Sequence, residues 1–241
     1  MDYTEIMSNL DGYMQLSKGA LRTLKQLIIG LHEARTVNLQ EVCARFREGT
    51  PSGNMRKIER FFAEKSILDA DMIRYILDAL FKNNAPISLA IDRTEWAFGT
   101  CWHNLLVLSV LYQKTAIPLI IMPLERHGCS ETQQRLKMLD QLLSIISATR
   151  IKVLLGDREF IGDHWFKGLQ ARNIPFVMRV KNNLIVAPQK QQKCDKISTF
   201  MPHKGHRAYP NTHIGTACFD LFVQKSGDDD LALISYTIKT P

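Results

Sequence analysis

No apolar run in this sequence comes near the roughly 18 residues that a membrane-crossing helix requires. Nor does the chain open as an export signal. MDYTEIMSNLDG is acidic and amphipathic, where a signal would be basic and then apolar. A cytoplasmic location is the expectation that follows from this start. Cysteine is sparse and scattered: five residues, at positions 43, 101, 129, 194 and 218, with no CxxC pair. That excludes a disulfide framework and suits a reducing compartment. Cys194, His203, His206, His213 and Cys218 can be drawn as a zinc cluster, but their spacings fit no compact zinc knuckle. A solvated loop is the simpler reading there. No internal repeat is visible.

What the sequence does have is an ordinary core and an uneven charge. Hydrophobic residues make up 45% of 241, enough for one large domain or two small ones. The formal net charge is +7. Eight basic residues against two acids between Phe176 and Lys225 (Arg179, Lys181, Lys190, Lys193, Lys196, Lys204, Arg207 and Lys225 against Asp195 and Asp220) carry +6 of it. Such a stretch is either a contact for a polyanion or a solvated basic surface.

Residues 1–84 read as helical. Leu21, Leu24, Leu27, Ile28 and Leu31 recur at i, i+3, i+4 and i+7 spacing. Asn38 is a candidate N-cap with Glu41 three residues on, and EGTPSG reads as a turn. Beyond it, a helix would expose Arg56, Lys57, Arg60 and Lys65 while burying Ile58, Phe61 and Phe62. A helix, a Gly/Pro turn and a basic helix suggest a DNA reader of the helix-turn-helix kind. From Ala85 the texture changes to strands: ISLAIDRTEWAF, NLLVLSVLYQ, TAIPLIIMPLER, IKVLLGD and PFVMRVK. Pro118 and Pro123 suggest that the third lies at an edge or is kinked. One helix, capped by Ser130, precedes the fourth strand, and HWFKGLQARN follows it. Three strands in a meander followed by strand–helix–strand crossovers predict an α/β fold, the ribonuclease H-like mixed sheet. The domains expected are 1–84 (helical, DNA-binding), 85–181 (first part of the catalytic core) and 182–241 (a β-rich basic insertion).

In that topology Asp92 ends the first strand, Asp157 ends the fourth, and the two strands are neighbours. Two adjacent carboxylates stay ionised together when a cation lies between them. Oxygen ligands with few imidazoles suit Mg²⁺ or Mn²⁺, and such metals can clamp both oxygens of an in-line phosphoryl transfer. An Asp after an apolar strand is also a common loop residue, so each aspartate alone would mean little.

IDRTEW, GDREF and PFVMRVKNN together resemble the catalytic domain of bacterial insertion-sequence transposases of the DDE type, insertion-sequence four family. The resemblance covers essentially the whole chain. It matches Asp92 and Thr94 to the first motif, and Asp157, Arg158 and Phe160 to the second. It implies an enzyme that binds the terminal inverted repeats of double-stranded DNA, hydrolyses a strand and joins the 3′-hydroxyl to target DNA, with a homodimer on DNA as a further expectation. Asp92 and Asp157 would hold the metals. Arg158 would meet a DNA phosphate or the second carboxylate, and Lys181 and Asn182 would lie near the DNA backbone. Glu159 points away from Asp157 if the strand persists. Glu95 supports the site or is exposed, and Trp96 and Trp102 stack on bases or are buried.

The family's third carboxylate lies on a helix after the β insertion, in a Tyr-x-x-Arg-x-x-x-Glu motif, and no such motif is found here. An incomplete and catalytically inactive copy is therefore expected, ending before that helix. Two other readings remain: a DNA-binding fragment without catalysis, and a self-sufficient nuclease using Glu125 or Asp163 as its third acid.

Overall fold

Ser17 accepts a hydrogen bond from the Ala20 amide and so starts the first long helix, α1 (Lys18–Ala34). Arg35, in the left-handed region at φ 52°, ends it. This is a computed structural model that describes residues 10–63, 69–125, 128, 130–188, 194–226 and 229–237. The chain divides into two compact units, Met1–Leu77 and Asp78–Pro241.

In the first unit α1 packs with α2 (Leu39–Ala44) and α3 (Pro51–Ala63), and α4 (Asp69–Leu80) begins there. Leu24, Leu27, Val42, Cys43, Phe46, Ile58 and Phe61 share one buried core, with Leu21, Ile28 and Leu31 partly buried against it. Phe62 is instead 55% exposed. Asn38 caps α2 through the Gln40 amide at 3.0 Å. The turn before α3 is shorter than EGTPSG implies. Pro51, Ser52 and Gly53 are already helical, because a proline in the first helical turn gives up no needed N–H. Thr50 Oγ1 accepts from the Gly53 amide at 3.2 Å. Lys65 lies outside the described residues.

The second unit is built on one sheet. Its strands are β1 (Ile87–Phe98), β2 (Cys101–Tyr112), β3 (Thr115–Pro123), β4 (Ile151–Gly156), β5 (Phe176–Arg179), β6 (Ile185–Pro188), β7 (Asp195–Lys196), β8 (Gly205–Ile214), β9 (Ala217–Ser226) and β10 (Asp229–Tyr236). The order is β3-β2-β1-β4-β5-β10-β9-β8-β6-β7. β1, β2 and β3 form an antiparallel meander, and β4 lies parallel to both β1 and β5. That is the ribonuclease H-like order. β3 is an edge strand, where its prolines cost the ladder least. β10 pairs antiparallel with β5, so the late strands continue the same sheet.

Helices α5 (Thr132–Leu143) and α6 (Asp163–Ala171) flank β4 in the chain. Phe166 of α6 stacks on Phe176 of β5, with ring centroids 5.4 Å apart. Arg172 joins the two helices by hydrogen bonds of 2.6 and 2.8 Å to Asp140. The N-cap of α5 is Glu131, not Ser130, and the Gln134 side chain accepts from the Glu131 amide at 2.8 Å. Ser130 is taken up elsewhere. Its hydroxyl and carbonyl accept from Arg135, a 4% exposed guanidinium lying 5.0 Å over the Phe160 ring. A buried cation needs those acceptors more than the helix needs that cap.

Candidate metal centre and nucleic-acid interface

The parallel ladder between β1 and β4 runs through Leu89↔Leu154 and Ala90↔Leu155 to Ile91↔Gly156. One step further along each chain stand Asp92 and Asp157. The alternation of apolar residues makes this happen: Ile87, Leu89, Ile91 and Leu154 are buried, and the first polar residue after each buried run leaves the core at the same level. Both aspartates are exposed.

Asp157 is the first residue past β4, as the sequence predicts. Asp92 does not end its strand. β1 continues to Phe98, paired with β2 through Trp96↔His103 and Phe98↔Cys101. A hairpin needs no third strand to persist, so β1 outlasts its parallel partner.

Gly156 explains how closely β4 is held. A Cβ there would meet Met178 Sδ at 2.5 Å, Ile91 Cγ2 at 3.2 Å and Phe160 Cβ at 3.3 Å. After Asp157 the chain turns, with the Phe160 amide donating to the Asp157 carbonyl at 3.0 Å. Phe160 is wholly buried and pins the turn from below.

The opposite face of β1 carries Arg93. Its Nε donates to both Glu159 oxygens at 3.3 and 3.1 Å, and its guanidinium also reaches Glu95 at 2.6 Å and Asn104 Oδ1 at 3.2 Å. The Glu95 hydrogen bond, with that of Glu159, raises Arg93 above its already high ordinary range, although burial opposes it. Asn104, 5% exposed, donates in turn to the Gly128 carbonyl at 3.2 Å. Glu159 therefore serves Arg93, and Glu95 does the same. Sequence reasoning missed Arg93 and Asn104. The available signal was alternation, which puts Arg93 and Glu95 on one face and Asp92 and Thr94 on the other.

Arg158 is half-buried, and its Nε, a buried atom, has no hydrogen-bond partner among the described residues. Lys181 is exposed just past β5. Asn182 is engaged within the β-rich region: its Nδ2 donates to Asp230 at 3.3 Å, and its carbonyl accepts from Ser198 at 2.8 Å. Lys190, Lys193 and Cys129 lie outside the described residues.

In the helical unit, Arg56 and Arg60 are exposed on α3, while Lys57 reaches Asn54 Oδ1 at 3.2 Å. A cavity of about 350 Å³ lies between α1 and α3, lined by Ser17, Ala20, Arg22, Lys57 and Arg60 among others.

Asp163 is not a spare ligand. Its carboxylate accepts from the Thr216 and Ala217 amides at 2.9 and 3.0 Å and pairs with Lys167 at 3.1 Å. It fastens α6 to the β8–β9 turn. Glu125 is exposed beyond β3. Among the described residues no three His, Cys, Asp or Glu side chains gather as a metal cluster. No described helix is long and apolar enough to cross a membrane.

The sheet order defines the class, a ribonuclease H-like α/β protein carrying two register-adjacent aspartates. Residues 125–225 match the family model described as Transposase DDE domain. The match covers less than half of the chain. It includes Asp157 and its turn and leaves Asp92 outside.

No curated protein matches the chain. Among solved structures the chain is similar to piggyBac transposase in a synaptic complex with hairpin DNA (TM-score 0.47, 11% identity, covering 99% of this chain and 60% of that one). It is also similar to an endonuclease V from Bacillus subtilis (TM-score 0.34, 10% identity, 69% and 76%). A third is Argonaute of Marinitoga piezophila in complex with 5′ OH guide RNA (TM-score 0.28, 9% identity, 80% and 28%). The chain thus spans 60% of the length of the piggyBac chain it matches.

Proposed function

We propose that this chain acts on double-stranded DNA as the transposase of an insertion sequence, with Asp92 and Asp157 as two of its metal-holding acids. The observation that carries the reading is the common register of those two residues, one step past Ile91↔Gly156. The donor set fits the metal. Mg²⁺ is commonly held by one or two carboxylates, with the substrate's phosphates completing its shell, and two exposed aspartates side by side offer that. When bound, Mg²⁺ or Mn²⁺ would supply the charge that activates and clamps the oxygens of an in-line displacement.

The chain's own residues do the rest. Gly156 lets β4 pack closely against Ile91 and Met178, one residue before Asp157. Phe160 and the Arg93–Glu159 pair hold the turn that carries Asp157. Arg158, next to Asp157 in the chain, is the residue proposed to meet a DNA phosphate or the second carboxylate. Arg56, Lys57, Arg60, Lys181 and Asn182 are the further proposed DNA contacts, to element ends and target. The third acid is assigned to no residue of this chain.

Mn²⁺ binding, followed by loss of the free-ion EPR signal, tests the pair. Asp92→Asn and Asp157→Asn should each weaken it at least tenfold. Unchanged binding in both would remove these residues from the metal site.

The second reading is DNA binding without catalysis, favoured by the lack of a third clustered acid among the described residues. Gel shifts with a terminal inverted repeat at two salt concentrations, with and without Mg²⁺, separate the two. Salt-dependent binding with no strand cleavage supports the second.

A further inference from the structure

We infer that the two-stranded arm beyond Asp92 is a platform for an unpaired nucleobase, with Trp96 stacked on His103 as its surface. The inference rests on the proposed action on DNA. β4 stops at Gly156, β3 pairs with β2 only from Leu105 onward, and the Leu124 amide donates to the Asn104 carbonyl, so Glu95–Phe98 and Cys101–His103 form a ribbon with no third strand among the described residues. On that ribbon Trp96 and His103 face each other directly across the strands. Their rings stack, with centroids 5.4 Å apart and planes 26° apart.

Trp96 remains 43% exposed, whereas Trp165 of α6 is fully buried. Burying an indole is favourable, and on this arm both Trp96 and Trp102, the latter 57% exposed, stay largely open. Holding Trp96 open on a ribbon, backed by a second flat ring, prepares a face for another flat ring.

Alternation selects the ligand. Asp92, Thr94 and Trp96 are two residues apart and share one face of β1, while Arg93 and Glu95 take the other. Trp102, paired with Ala97, lies on the Arg93 side. The platform therefore looks toward the same side as the carboxylates. Four residues of strand separate Asp92 from Trp96, a span of about 13 Å. A DNA strand covers that in roughly two to four nucleotides, according to how far it is stretched beyond the duplex step of about 3.4 Å. A base within a duplex has both faces covered by its neighbours, so only an unpaired base can take the stack. The arm would thus hold a strand end a few nucleotides from the phosphate at Asp92 and Asp157, making Trp96 a positioning residue.

The test compares two DNA ligands, a blunt duplex and the same duplex with a short single-stranded tail, by fluorescence anisotropy with the full chain. The tailed duplex should bind more tightly and quench tryptophan emission. Trp96→Ala should weaken tailed binding by roughly five- to a hundredfold, down to the blunt level, and leave blunt binding unchanged. Trp96→Phe should retain most of the preference, and His103→Ala should lose part of it. A tail preference that survives Trp96→Ala, or an equal loss on both ligands, overturns the platform while leaving the proposed function standing. Failure to bind either duplex overturns both.

Discussion

Arg93 and Glu159 meet across the gap between β1 and the turn after β4, with Nε 3.3 and 3.1 Å from the two carboxylate oxygens. Each sits beside one of the paired aspartates: Arg93 follows Asp92, and Glu159 lies two residues past Asp157. An ion pair thereby ties the strand that carries Asp92 to the turn that carries Asp157. Both partners are mostly shielded, with side-chain exposures of 17% and 21%. Arg93→Met should destabilise the fold by about 1–3 kcal/mol in urea unfolding, because Glu159 loses its cation. It should also weaken Mn²⁺ binding without touching either aspartate. Equal Mn²⁺ affinity in wild type and variant would show that the pair is structural alone.

Gly156→Ala attacks the same geometry from within. The new methyl would press on Met178, Ile91 and Phe160 in a packed interior, which costs about 1–3 kcal/mol. Thermal melting should fall accordingly. The expected signature is a loss of Mn²⁺ affinity larger than the loss of stability explains, since Asp157 is the next residue.

Asp140 gives a pH dependence. Hydrogen bonds from Arg172 hold its carboxyl below the usual range, against the opposing effect of burial, and the charge of Arg172 adds to them. A depressed folded-state value means the contribution is complete above the ordinary carboxylate value of about 4 and is lost as pH falls toward the folded value. Asp140→Asn should therefore lie closest to wild type in stability at the lowest pH. The gap should widen as pH rises toward 4 and stay constant above it, in denaturation curves taken across that range. Because Asp140 is 55% exposed, the gap should be small.

The basic helix α3 makes a prediction about salt. If Arg56 and Arg60 contact phosphates, replacing either by Ala should reduce the slope of log affinity against log salt by about one. The loss should be similar on unrelated duplexes. A slope unchanged in the double variant would remove α3 from the interface.

Much of this was legible in the residues. The apolar alternation of Ile87, Leu89 and Ile91 and the run before Asp157 gave two strands whose polar exits coincide. Pro118 and Pro123 pointed to an edge or a kink, and β3 lies at the edge. The start of β2 was harder to read, because Cys101, Trp102 and His103 alternate no more clearly than a loop does, and only their pairing with β1 makes them strand. Ser130 looked like a cap because its demand from Arg135 is a tertiary fact. The role of Arg93 needed a partner 66 residues away, beyond the reach of any local pattern.

The antiparallel partner of β5 is β10, which follows it by more than fifty residues. During synthesis, β1 to β5 can assemble while the outer edge of β5 is still bare. At ribosomal rates of about 5–20 residues per second, that edge waits roughly three to ten seconds for its cover. Over that interval a strand with unpaired amides is open to any other nascent chain. The same ten-stranded order that seats the aspartates thus sets a window of vulnerability to aggregation during translation, and slowing the ribosome between β5 and β10 would lengthen it.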